Sequence, residues 1–124
     1  MTKIGIIRCE KNETTCPLTG CLTCLHQKKQ AFSSYDDPEI IGVFTCRCPG
    51  DTIENMAKIL KAKGAEAIHI PTCLFSSKTD GKWFLEPGGF CADIDELTDR
   101  INKATGLPCV KGTAHLPEGY TPAV

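Results

Sequence analysis

The run Lys-Ile-Gly-Ile-Ile-Arg at residues 3–8 decides the fold class. Three of its six residues are isoleucine, and the run lacks the polar alternation of a half-exposed strand. This pattern is typical of a parallel strand buried on both faces. Three further apolar runs follow, at residues 39–45, 66–72 and, more weakly, 108–114. The sequence therefore predicts four parallel strands.

Helical patterns fill the intervals between the four runs. A first helix is expected near residues 21–33. The second helix is expected from Asp51, because Asp51 and Glu54 have the spacing of a capping box and Gly64 suits the position after a helix end. The third helix has one apolar face, formed by Ile94, Leu97, Ile101 and Ala104.

This alternation predicts an α/β fold, organised as a single three-layer domain over residues 1–124. Because crossovers between parallel strands are right-handed, few strand orders remain. We expect the order 2-1-3-4 with helices on both faces, as in the flavodoxin-like half of doubly wound proteins. Residues 76–90 interrupt the alternation, and the turn signal Asp80-Gly81 predicts an excursion over the edge where the third strand ends.

Charge and hydropathy exclude several classes of protein. The chain of 124 residues carries 14 basic and 15 acidic side chains, which argues against a nucleic-acid or membrane-surface protein. No apolar run approaches the ~20 residues that cross a bilayer. The apolar segment that follows Lys3 is too short for a signal-peptide core. We therefore expect a cytoplasmic protein that binds neither nucleic acid nor membranes.

Cysteine is abnormally frequent, with nine in 124 residues. The odd count and the expected reducing compartment argue against a disulfide scaffold, since cytosolic thiols stay reduced. In that compartment, dense cysteine indicates metal or thiol chemistry. The other interpretation is a buried cysteine that acts as a small hydrophobic residue, which we expect for Cys109 within the fourth strand.

The ends of the predicted strands carry most of the candidate ligands. The residues at these ends are Cys9, Cys46 with Cys48, Cys73 and His115, in the order of the four strands. The carboxyl ends of parallel strands share one edge, where open α/β folds bind ligands. Neighbouring strands lie about 4.8 Å apart, and two thiolates on one tetrahedral zinc lie ~3.8 Å apart. Small adjustments would therefore bring these side chains to one ion.

We expect a thiolate-rich metal site at this edge, with zinc as the ion, because soft thiolates favour zinc, copper(I) or iron–sulfur over magnesium and calcium. The expected first ligands are Cys9, Cys46, Cys48 and Cys73, and the close contenders are Cys16, Cys91 and His115. One zinc takes four ligands. Two metals, an iron–sulfur cluster, or thiols free for chemistry therefore stay open.

Two alternatives depend on the segment after the first strand. Cys16, Cys21 and Cys24 have the C-x4-C-x2-C spacing of a plant-type iron–sulfur protein. Cys21 and Cys24 also form a C-x-x-C at a helix start, where the backbone dipole lowers a thiol pKa. The second alternative is therefore a thiol–disulfide or thiol-transfer enzyme with Cys21/Cys24 or Cys9 as nucleophile. Its partner would be a small-molecule or protein thiol.

The remaining conspicuous side chains have structural interpretations. His69 lies between two isoleucines in the middle of the third strand, so we expect a histidine whose hydrogen bonds are satisfied in the core. His26 follows a helical pattern with neighbouring lysines and is expected on the surface. Trp83 and Phe84 lie in the excursion and are expected to cover the edge of the sheet.

Motifs along almost the whole chain resemble the CGGC domain family, whose small bacterial and archaeal members are described as metal-binding, with zinc expected. The matching motifs lie at residues 4–9, 16–17, 42–50, 64–73 and 111–115. The resemblance implies ligand roles for Cys9, Cys16, Cys46, Cys48, Cys73, Cys91 and His115, with His69 as a further match. The chain departs from the family signature, because Cys46-Arg47-Cys48 stands in place of Cys-Gly-Gly-Cys.

Overall fold

A computed structural model describes residues 2–122 and contains one four-stranded parallel sheet and one hairpin. The strands are β1 (Thr2–Cys9), β2 (Pro38–Cys46), β3 (Ala67–Ile70), β4 (Ser77–Thr79), β5 (Lys82–Phe84) and β6 (Cys109–Lys111). The sheet has the order β2-β1-β3-β6, and each neighbouring pair is parallel. Because β6 is the fourth predicted strand, the α/β class and the order 2-1-3-4 are confirmed.

Three helices connect the strands of the sheet. They are α1 (Thr19–Gln27), α2 (Ile53–Ala62) and α3 (Ile94–Thr105). Within residues 2–122, no helix combines the length and the apolar character needed to cross a bilayer. The expected first helix at 21–33 is too long, because Lys28 takes a left-handed conformation and ends α1. A short 3-10 helix (Gln30–Phe32) then buries Phe32.

Helices cover both faces of the sheet, as predicted. On one face, buried side chains of α2 and α3 pack with Ile7, Ile68 and Ile70 of the sheet. On the other face, Leu25 and Phe32 pack against Ile4 and Ala67. The central strands are therefore buried from both sides, which explains their continuous apolar sequences.

The start of α2 differs from the predicted capping box. Thr52 occupies the N-cap position, and no side chain caps the helix there. The carboxylate of Glu54 instead accepts hydrogen bonds from Arg100 in α3, at 2.6 and 2.9 Å. Arg100 also donates to the carbonyl of Gly50 at 3.1 Å, so this guanidinium ties both helices to the turn after β2.

The excursion forms a hairpin and then returns along the end of β3. Asp80 and Gly81 both have positive φ, as a tight hairpin turn between β4 and β5 requires. We call residues 85–91 the return segment. Its Phe90 and Cys91 N–H groups donate to the carbonyls of Cys73 and Leu74, at 2.9 and 3.0 Å. The return segment thus brings Cys91 to the carboxyl edge of the sheet.

Candidate functional site

Four cysteines line one cavity of about 180 Å³ at the carboxyl edge, which we call the thiol cavity. Cys9 and Cys46 end β1 and β2 and are direct partners in the register of the two strands. Cys48 follows in an exposed turn, and Cys91 is half-buried at the end of the return segment. The apolar part of the wall is formed by Ile7, Ile53, Ile70, Leu74, Ile94 and Leu97.

Burial and the neighbouring thiols favour the protonated form at two of these cysteines, Cys46 and Cys91. The pKa of Cys46 is raised to about 11, mainly by burial and to a smaller extent by the neighbouring Cys91, Cys9 and Cys48. Burial also raises the pKa of Cys91. A thiolate at either position is therefore unfavourable unless a positive charge offsets it.

Residues after β1 hold the thiol cavity in shape. The Lys11 N–H donates to the Cys9 sulfur at 3.4 Å, and the Lys11 ammonium donates to the Phe90 carbonyl at 3.0 Å. The Glu10 carboxylate accepts a hydrogen bond from the Cys48 N–H. Lys11 also lines the cavity together with Asp93, so its wall carries one potential cation and one carboxylate. The sequence analysis did not predict that Lys11 and Asp93 line the site, although Asp93 lies only two residues after Cys91.

A second cavity of about 270 Å³ contains the other candidates, and we call it the tryptophan cavity. Its wall includes Cys16, Cys73 and His115. The Cys73 sulfur, in the 3-10 turn after β3, accepts a hydrogen bond from the Asn12 amide at 2.9 Å. The rings of Trp83 and His115 stack with centroids 5.5 Å apart and an interplanar angle of 11°. Trp83 therefore covers this edge of the sheet, as expected.

The surroundings of the C-x-x-C segment do not favour thiolates. Cys21 lines the tryptophan cavity, with its sulfur 3.0 Å from the Thr113 hydroxyl, and burial raises its pKa. Burial also raises the pKa of Cys24, which packs against the apolar cluster on the α1 side of the sheet. Both shifts are opposite to the lowering expected at a helix start. Cys16 and Cys21 share the tryptophan cavity, whereas Cys24 does not line it.

Burial is also the main cause of the raised pKa of Cys73 and of Cys109. It raises the pKa of each thiol to about 12. The neighbouring Cys21 and Cys16 contribute to this shift at Cys73. Cys109 packs against the main core, in agreement with the structural role predicted for it.

The histidines outside the cavities behave as predicted. His69 is fully buried, its Nδ1 donates to the Gly112 carbonyl at 2.7 Å, and its Nε2 accepts from the Tyr35 hydroxyl at 2.7 Å. His26 is exposed near the end of α1. Neither side chain reaches the thiol cavity or the tryptophan cavity.

The seven candidate ligands thus divide between two cavities. Cys9, Cys46, Cys48 and Cys91 line the thiol cavity, and Cys16, Cys73 and His115 line the tryptophan cavity. Within residues 2–122, no group of three or more Cys, His, Asp or Glu side chains is arranged so that it could hold a metal ion. Binding at either cavity would require side chains to move closer together.

A parallel sheet covered by helices, with cysteines gathered at its carboxyl edge, defines a cysteine-rich α/β protein of the doubly wound type. The CGGC domain matches residues 3–114, and the chain belongs to this family. It is also 35% identical over 118 residues to an uncharacterized protein of Methanocaldococcus jannaschii, with 90% of this chain and 85% of that protein covered. The family match includes all nine cysteines and ends one residue before His115.

Proposed function

We propose that the chain binds one soft metal ion in the thiol cavity, and we expect that ion to be zinc. The observation that carries this proposal is that Cys9, Cys46, Cys48 and Cys91 line one cavity. They come from three separate parts of the chain: the end of β1, the end of β2 with the turn after it, and the loop that enters α3. Four sulfur donors match the tetrahedral coordination of a structural zinc. Sulfur is also a poor ligand for magnesium and calcium, which prefer oxygen.

The donor set fits zinc in number and type, but its atoms must first close around the ion. Cys9 and Cys46 are held at the ends of paired strands. Cys48 and Cys91 are more exposed, and they lie in a turn and in the loop that enters α3. We therefore expect Cys48 and Cys91 to move toward the strand ends. A bound zinc would offset the negative charge of the thiolates and join the two strand ends to this loop.

The test is metal content together with variants of single cysteines. The protein is purified anaerobically with zinc supplied, and its metal is measured by elemental analysis. We expect one zinc per chain, and we expect Cys48→Ser and Cys91→Ser each to lower zinc affinity at least tenfold. Cys24→Ser is the matched control, because Cys24 lines neither cavity and should not alter zinc binding.

Two results would overturn the proposal. One is a protein with no stoichiometric metal after this preparation. The other is loss of zinc in Cys16→Ser and Cys73→Ser while Cys48→Ser and Cys91→Ser keep it, which would move the site to the tryptophan cavity. Cobalt(II) in place of zinc gives an independent readout, because the intensity of its sulfur charge-transfer absorption falls as each thiolate ligand is removed.

A second candidate function, thiol–disulfide exchange, is favoured by the direct pairing of Cys9 with Cys46. Paired strands lie about 4.8 Å apart, which falls in the Cα separation of roughly 4.4–6.8 Å that a disulfide spans. A small-molecule disulfide would oxidise the pair, forming the Cys9–Cys46 bond and leaving as two thiols. Loss of two hydrogens from this pair, measured by mass spectrometry on metal-free protein, supports exchange. Protection of the thiols from alkylation until a chelator is added supports metal binding instead.

A further inference from the structure

β2 is the last strand at one end of the parallel sheet, and its outer edge is unpaired. The strand spans Pro38–Cys46, and β1 is the strand that pairs with it. Within residues 2–122, no strand binds the N–H and C=O groups that point away from β1. Such an edge is a template for a further strand, and monomeric proteins usually shorten it or place charges on it.

The two edge strands of the sheet differ in length and charge. At the opposite end, β6 has only three residues, and one of them is Lys111. Both features protect an edge against association. β2 is nine residues long, and its residues 40–46 include no charged side chain. Its register with β1 shifts once, at Ile41, which leaves residues 42–46 as a regular stretch with Val43 42% exposed.

Charge complementarity favours an antiparallel pairing of two β2 strands. Glu39 lies near the start of β2, Arg47 directly follows its end, and both side chains are exposed. Arg47 forms an ion pair with Glu13 at 3.2 Å, whereas no described residue forms an ion pair with Glu39. In an antiparallel pair, the start of each strand lies beside the end of the other. Glu39 of each copy therefore approaches Arg47 of its partner, twice by symmetry.

A second apolar side chain flanks this edge of the sheet. α2 lies over β2, where Leu60 packs against Gly42. Glu54 and Lys61 bond to α3 and so mark the side of α2 that faces α3. Ile59 lies roughly 140–160° around the helix from both of them. Ile59 therefore projects toward the β2 edge, and it is 46% exposed.

We propose that β2 is the interface of a homodimer, in which the β2 strands of two copies pair antiparallel and join the two sheets into one. The two-fold axis crosses the middle of the strand, so the contact is closed and the two α2 helices meet beside it. Backbone hydrogen bonds and apolar side chains form this interface without a metal. Dimerisation and zinc binding therefore fail or succeed independently.

The test is the mass of the full chain in solution, measured by sedimentation equilibrium in reductant, with and without a chelator. Reductant prevents disulfides between copies, and the chelator removes any metal bridge between exposed cysteines such as Cys48. We expect twice the chain mass at about 100 µM in both conditions, with dissociation on dilution. A chain that stays monomeric at this concentration, or a dimer that the chelator dissociates, would overturn the proposal.

Two variants place a charge in the interface. Val43→Lys changes the middle of the edge strand and Ile59→Glu the adjoining helix face, and each should weaken the dimer at least tenfold. Phe84→Lys is the matched control, because Phe84 is also 46% exposed but lies in the hairpin. Circular dichroism checks the fold of each variant, and Ile59→Glu decides if Val43→Lys does not fold. A dimer that survives both changes, or one that Phe84→Lys disrupts equally, would contradict the interface.

Charge reversal tests the direction of the pairing. Glu39→Arg and Arg47→Glu should each weaken the homodimer about tenfold, because like charges then meet at both ends of the paired strands. Mixed in equal amounts, the two variants should pair with each other in preference to themselves, since each end again joins opposite charges. A mixture without this preference would overturn the antiparallel arrangement.

Discussion

His69 shows how burial fixes the protonation of one side chain in this fold. Burial lowers its pKa from 6.5 to about 4, and the hydrogen bond to the Gly112 carbonyl opposes that shift only in part. The flanking Ile68 and Ile70 were enough to predict a core histidine from the sequence. Its partner Tyr35 was not predictable, because the two rings meet only once α1 and the following 3-10 helix are packed on the sheet.

We predict that His69 makes the protein less stable in mild acid. Between pH 6.5 and about 4 the unfolded chain protonates this imidazole and the folded chain does not, so the free energy of unfolding falls as pH falls. The full effect is roughly 3 kcal/mol. Urea unfolding from pH 7 to pH 4 should show a shallower pH dependence for His69→Gln than for the unaltered chain.

His26→Gln is the control for this prediction, because His26 is exposed. Carboxylates titrate in the same range but contribute equally to all three proteins, so they cancel in the comparison. Identical pH slopes for His69→Gln and the unaltered chain would show that His69 does not carry the effect.

At the scale of elements, the return segment depends on one glycine. A Cβ at Gly89 would overlap the backbone of Cys73, Leu74 and Phe75. We predict that Gly89→Ala lowers the free energy of unfolding by about 2 kcal/mol, since overpacking against backbone cannot be relieved by a side-chain rotation. The same change should detach Cys91 from the edge of the sheet and weaken zinc binding. Urea unfolding and zinc titration of the variant measure both effects.

Gly42→Ala is the matched control, because a Cβ there would meet only the flexible end of Leu60, at 3.0 Å. A Gly89→Ala protein as stable as Gly42→Ala would show that the return segment is free to shift. In that case Cys91 would not be held by the hydrogen bonds to the turn after β3.

The elements that were predictable from sequence are those with a strong local pattern. Buried apolar runs identified the four strands of the sheet, and the handedness of crossovers supplied their order. The errors arose where distant residues compete with local preference. The capping box predicted at Asp51 and Glu54 does not form. The Glu54 carboxylate instead accepts a hydrogen bond from Arg100, which lies 46 residues further along the chain. The predicted helix at 21–33 extends too far, because a separate 3-10 helix, and not α1, buries Phe32.

For the molecule as a whole, the topology brings cysteines to one edge but does not bring them to one point. Strand ends alone placed Cys9, Cys46 and Cys73 side by side in the sequence-based prediction. The turn at Thr72–Leu74 and the return segment place Cys73 in the tryptophan cavity and Cys91 in the thiol cavity. Neither segment has a periodic sequence. The sequence therefore could not predict that Cys91, rather than Cys73, lines the thiol cavity with Cys9 and Cys46.

Binding of zinc to the thiol cavity should stabilise the entire fold, because the site exists only when β1, β2 and the entry to α3 are assembled. At free zinc about a hundredfold above the dissociation constant, the gain is about 2.7 kcal/mol, which raises Tm by roughly 10 °C for a chain of this length. Thermal unfolding of anaerobic protein with and without zinc measures this shift. Cys24→Ser should retain it and Cys48→Ser should lose most of it, whereas magnesium should produce none. An equal shift in Cys48→Ser would mean that zinc stabilises the fold from another place.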